Sequence, residues 1–98
     1  MTVSIANNLT TVAITANITP LKSHAVWFQN FSTTVGLYLE PLGTAATATS
    51  FYLPPATSAT VPGTLIIQSS GGDTTLPNAT WNAFQASGGA VDINCGRW

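Results

Sequence analysis

The hydrophobic positions of this chain come in short runs that alternate with polar residues, separated by turn-forming punctuation. The clearest run sets Val35, Leu37 and Leu39 against Gly36, Tyr38 and Glu40, the period-2 pattern of a strand with one face in a core and one in solvent. The run before it, 26–31, carries Trp27, Phe28 and Phe31. It is apolar on both faces, so it must be covered by a second sheet or by another chain. Ser32, Thr33 and Thr34 supply small, turn-tolerant residues between the two runs. Residues 25–41 therefore predict a hairpin in the middle of the core.

The rest of the chain reads in the same way. Residues 2–7 form a short strand with Val3 and Ile5 on one face, and Asn7-Asn8 turns the chain, since Asn tolerates left-handed backbone. Over 11–19, Val12, Ile14, Ala16 and Ile18 alternate with polar or small residues until Pro20, which cannot donate to a ladder. The strand 50–53 is cut off by Pro54-Pro55, which places it at a sheet edge or corner. Extended structure resumes over 57–61, Pro62-Gly63 marks a turn, and 64–68 is a compact strand. Ser69-Ser70-Gly71-Gly72-Asp73 is the strongest loop signal. Residues 80–86 read as a strand, with a helical turn over 81–86 as the alternative. Ser87-Gly88-Gly89 breaks the chain in hairpin fashion, and 90–95 alternates Val91, Ile93 and Cys95 against Asp92 and Asn94. Seven to nine short strands punctuated by turns predict an all-β fold, a single compact antiparallel β-sandwich or small β-barrel spanning residues 1–98. Residues 1–20 are either part of that sheet or an N-terminal strand or arm that pairs with a neighbouring subunit.

Composition adds a surface problem. Only Lys22, Glu40, Asp73, Asp92 and Arg97 are formally charged. On the usual surface scaling that is about one charge per 1,000 Å², whereas soluble monomers normally cover themselves with charge. Together with a positive mean hydropathy, this predicts that part of the surface is hidden in an assembly. A net charge of −1 with two basic residues argues against nucleic acid, whose phosphates demand several Lys or Arg, and against a basic membrane anchor. No apolar run approaches the ~20 residues of a spanning helix. The opening MTVSIANNLT lacks the basic and apolar regions of a secretory signal.

The inventory for catalysis is thin, and no catalytic, cofactor-binding or metal-binding residue is expected. His24 is the only histidine, and no serine lies in a nucleophile-elbow motif. Glu40 and Asp92 could form a glycosidase-like pair if neighbouring strands brought them together, but each sits on the polar side of its strand. One His, one Cys and three isolated carboxylates do not make a dedicated metal site. Gly71-Gly72-Asp73 lacks the Lys and helix of a phosphate loop and the spaced carboxylates of a calcium loop. Cys95 shares a face with Val91 and Ile93 and reads as a small core residue. Asn8, Asn17, Asn30 and Asn78 each begin an N-x-[S/T] triplet, as a chain rich in Asn and Thr does by chance. The aromatic residues Trp27, Trp81, Trp98, Tyr38 and Tyr52 could stack on sugars or form subunit contacts, where Trp and Tyr are enriched. Tyr38 points away from the core side of its strand, and Trp98 ends the sequence. Tyr38, Tyr52 and Trp98 are the candidate interface residues.

Three segments carry a resemblance: FQNFSTTVGLYL (28–39), SFYLPPATSATV (50–61) and WNAFQASGGAVDI (81–93). Their order is similar to that in small virion proteins of tailed bacteriophages, in which a strand ending in QN-x-S leads to an LYL strand. An LPP or LPPG corner and a Ser/Thr-rich strand follow, and a final hairpin reads aromatic-x-A-x-x-A-S-G-x-V-x-V. The chain departs from that pattern in having Ala56 after the prolines and a long stretch, 62–78, before the last hairpin. The resemblance implies a non-enzymatic capsid decoration or cement protein, assembled in the host cytoplasm and localised to the virion. Such proteins are often homotrimers bound to the major capsid protein of the head. A neck, tail or head-fibre component is the alternative within that family. A small carbohydrate-binding module using Trp and Tyr is the alternative outside it.

Overall fold

The computed structural model describes residues 2–5, 12–13, 24–41, 51–69, 76–77, 79, 81–85 and 91–97. Their strands are β1 (Thr2–Ile5), β2 (Val12–Ala13), β3 (Ala25–Asn30), β4 (Leu37–Glu40), β5 (Phe51–Leu53), β6 (Gly63–Gln68), β7 (Asn82–Phe84) and β8 (Val91–Arg97). They form two four-stranded sheets, β1-β8-β3-β6 (sheet A) and β2-β7-β4-β5 (sheet B). Every pairing is antiparallel. The all-β architecture expected from the alternation is present, and the two separate strand orders make it a sandwich rather than a closed barrel.

The inner faces meet in one core. Sheet A supplies Ile5, Val26, Phe28, Val91, Ile93 and Cys95, and sheet B supplies Leu37, Leu39, Leu53 and Ala83. Trp81, just before β7, fills the space between the sheets. Its ring meets Phe28 edge to face at 5.4 Å, an arrangement favoured by the ring quadrupoles. Its indole N–H donates to the Leu76 carbonyl at 3.0 Å, which gives a fully buried polar group a partner. At the same depth the Gln85 amide donates to the Ile5 carbonyl at 3.5 Å, linking the end of β7 to sheet A.

Residues 25–41 do not form the expected hairpin. β3 lies in sheet A and β4 in sheet B, so the Ser32–Val35 segment is an arch that carries the chain across the sandwich. Asn30 explains the crossing. It is the last residue of β3 and is fully buried. Its amide donates to the carbonyls of Val35 at 2.7 Å and Pro54 at 3.2 Å, and its Oδ1 accepts from the Ser32 N–H at 2.9 Å. Ser32 Oγ then accepts from the N–H groups of Thr34 at 3.3 Å and Val35 at 3.1 Å. These side chains satisfy backbone groups that a hairpin ladder would otherwise have paired. β7 and β8 likewise lie in different sheets, so they do not form the expected hairpin.

The extended segment expected over 57–61 is a tight turn. Thr57 N–H donates to the Val61 carbonyl at 3.0 Å, Val61 N–H to Ser58 at 3.3 Å, and Ser58 Oγ accepts from the Thr60 N–H at 3.3 Å. Gly63, expected in the turn after it, instead opens β6. A Cβ there would collide with the Pro54 carbonyl, so glycine is required where the proline corner crosses back to sheet A. At the N-terminus, β1 pairs with β8 of its own chain. The remainder of the strand expected over 11–19 lies outside the described residues, apart from β2 pairing with β7.

Candidate interaction surface

The alternation of β4 sends Tyr38 to the outer face of sheet B. Tyr38 stands directly opposite Tyr52 on β5 and Phe84 on β7. The three rings form a row across three strands, with centroids 5.2 Å apart for Tyr38 and Tyr52 and 6.4 Å for Tyr38 and Phe84. Cross-strand aromatic pairs of this kind each contribute about 0.5–1.5 kcal/mol beyond area burial. Gly36, two residues before Tyr38 on the same face, leaves room for the Tyr52 phenol to lie across the strand. A Cβ at Gly36 would fall within 2.7 Å of two Tyr52 ring carbons. Phe84 is buried and Tyr38 half-buried, while Tyr52, on the edge strand, is 48% exposed.

Tyr52 belongs to a larger feature. The large hydrophobic side chains exposed among the described residues are Phe31, Phe51, Tyr52, Val61 and Ile66. All five lie along the β5/β6 edge but on different faces of it, Phe51 sharing the inner face with Leu39 and packing its ring on Trp81. β5 and β6 are the neighbouring edges of the two sheets, and Val61 sits on the corner between them. Phe31 belongs to the arch, which is tied to that corner by the Ala56 N–H donating to the Ser32 carbonyl at 2.7 Å. Tyr52 flanks this edge on the outer face of sheet B, and Ile66 flanks it on the outer face of sheet A. On areas typical of such side chains, the five leave roughly 400 Å² of apolar surface exposed.

Of the candidate interface residues, Tyr38 and Tyr52 are brought together and Trp98 lies outside the described residues. Phe31, Phe51, Val61 and Ile66 were not singled out from the sequence. Exposure of Ile66 could not be read from a run in which Leu65, Ile66 and Ile67 are all apolar. Only its outward position on an edge strand decides it.

The remaining candidates separate. Glu40 shares the outer face of sheet B with Tyr38, whereas Asp92 is exposed on the outer face of sheet A, opposite Ser4. The two carboxylates therefore face away from each other across the sandwich. His24 precedes β3, at the far end of that strand from Asp92. Among the described residues, no three metal-ligating side chains cluster. Cys95 is fully buried, and burial pushes its thiol above the ordinary range. Trp81 is sealed in the core, so it offers no ring to a sugar. Trp27 lies on the outer face of sheet A, where its indole crosses Gly96, on the opposite side of the sandwich from Tyr38 and Tyr52. Asn30 spends its amide on the arch, which removes one glycosylation triplet from the accessible surface.

Comparison with family models, with curated proteins and with solved structures gives no match.

Proposed function

We propose that this chain is a non-enzymatic structural protein of a virion, a decoration or cement subunit that self-associates and binds the major capsid protein on the outside of a phage head. The observation that carries the reading is the apolar β5/β6 side, on a chain with five formal charges. A charge-poor subunit with five large apolar side chains exposed along one edge gains by covering them, and a shell of repeated capsomers offers many equivalent sites. Binding that is available only to the folded chain stabilises both the subunit and the lattice by mass action. The similarity of segments 28–39, 50–61 and 81–93 to small phage virion proteins points the same way.

Quantitative mass spectrometry of purified particles of the phage encoding this chain tests the proposal. Hundreds of copies per particle are expected for a lattice-wide coat. A dozen or so would move the chain to the neck, tail or a vertex fibre. Absence from the particle would overturn the structural role and bring the sugar-binding alternative forward.

A further inference from the structure

The four sheet edges are not equally protected. β2 has two residues, β5 has three and runs into Pro54-Pro55, and β1 has four with Thr2 and Ser4 outward. β6 is different. It has six residues, contains no charge and no proline, and pairs with β3 over six consecutive positions without a bulge. Among the described residues, no strand pairs with its other side. Natural sheets blunt such edges with Lys, Pro, bulges or shortness, and β6 carries none of these.

We propose that β6 is the contact through which two copies of this chain join, antiparallel about a twofold axis, fusing their A sheets into one eight-stranded sheet. The proposal rests on the reading of the chain as an assembling subunit and names the self-contact. The occupant follows from the strand's own side-chain order. Thr64, Ile66 and Gln68 point outward, and Leu65 and Ile67 pack against the core. For the two cores to lie on the same side of the fused sheet, the axis must pass through a residue rather than between two, because a one-residue slip inverts the faces. Centred on Ile66, the pairs are Thr64 with Gln68, Leu65 with Ile67, and Ile66 with itself. Polar meets polar on the outer face, and apolar meets apolar beside the core. Centring on Leu65 sets Thr64 against Ile66, and centring on Ile67 sets Ile66 against Gln68. Only the Ile66 register is self-complementary over the whole strand. No charged side chain lies on β6 to repel its copy, and the exposed half of Ile66 is covered by its twin. Such an isologous contact closes on itself, leaving Phe31 and Val61 for the shell.

Cysteine cross-linking of the full chain under mild oxidation, with light scattering in solution, tests this. Directly opposite residues have Cβ atoms about 4.5–5.5 Å apart, close to disulfide reach, and Cys95 is buried. Ile66→Cys should yield a disulfide-linked dimer. Thr64→Cys and Gln68→Cys should each stay unlinked alone and link when mixed. Thr60→Cys, on the exposed turn, is the control and should not link. Ile66→Lys, at an exposed site, should keep the fold by circular dichroism and weaken the dimer at least tenfold. Unlinked Ile66→Cys, or Ile66→Lys associating like the parent chain, would overturn the β6 contact. If that chain still coats particles, the proposed function stands without it. A chain that is monomeric and absent from particles would overturn both.

Discussion

Replacing Asn30 by alanine tests whether one buried amide holds the arch between the sheets. The side chain is fully buried and makes three hydrogen bonds, to the carbonyls of Val35 and Pro54 and from the N–H of Ser32. Each is worth about 1 kcal/mol net, and a buried group left unpaired costs about 1–3 kcal/mol. Val35 and Pro54 are only half-buried, so water can reach part of what is vacated. The expected loss is therefore about 3–4 kcal/mol, a large fraction of the roughly 5–15 kcal/mol that stabilises a domain of this size. Urea unfolding followed by Trp fluorescence measures it, with Trp81 as the buried reporter. The melting temperature should fall by about 12–20 °C. Asn30→Asp is the sharper companion. It keeps the acceptor for Ser32 but faces two carbonyls with a carboxylate, so its folded-state pKa lies above the unfolded value. Its stability is then greatest below the unfolded pKa of about 3.9 and declines as pH rises through the folded pKa. At neutral pH it should be less stable than Asn30→Ala. A loss below about 1 kcal/mol for alanine, or an aspartate variant as stable as the parent at neutral pH, would refute the assignment of the amide as the lock.

Two glycines should respond differently to alanine. At Gly63 the new methyl meets the Pro54 and Pro55 backbone, which cannot rotate away, so a loss of about 1–3 kcal/mol is expected by thermal unfolding. At Gly36 it meets the flexible end of Tyr52. The fold should lose less than about 1 kcal/mol, while binding to particles drops if the aromatic row is part of the contact. For Cys95, thiol-specific alkylation should be negligible in the native chain and complete in denaturant. Because burial raises its folded-state pKa, the unfolded chain releases its thiol proton first. Stability should therefore decline as pH rises above about 8.5, and Cys95→Ala should remove that part of the slope.

The apolar side and the open edge carry different consequences. The side chains of Phe31, Phe51, Tyr52 and Val61 offer area without direction, which is what the proposed attachment to a shell would use. The β6 backbone offers direction, since main-chain pairing fixes both angle and register. Under the two proposals, the β6 edge would orient one copy on another while the apolar side chains hold to a lattice.

Much of this architecture follows from the sequence by itself. Strict alternation in 35–40 and 90–95 identified β4 and β8 and the residues they bury, because a half-buried strand admits no other period. No longer apolar period in the sequence argued for a helix beyond the alternative turn over 81–86, and the prolines at 54–55 marked an edge or corner. Tyr38 was placed outward by parity alone. Which strands pair was not legible. Short polar segments such as 32–34 serve a hairpin and an arch equally well. The difference lies in Asn30, whose buried amide reaches Pro54, 24 residues away. The prolines had already put 50–53 at an edge or corner, but exposure of Ile66 was equally hidden, because an edge strand and a central strand share one local pattern. Their difference is the neighbour they lack, and neighbours are assigned only when the whole chain has folded.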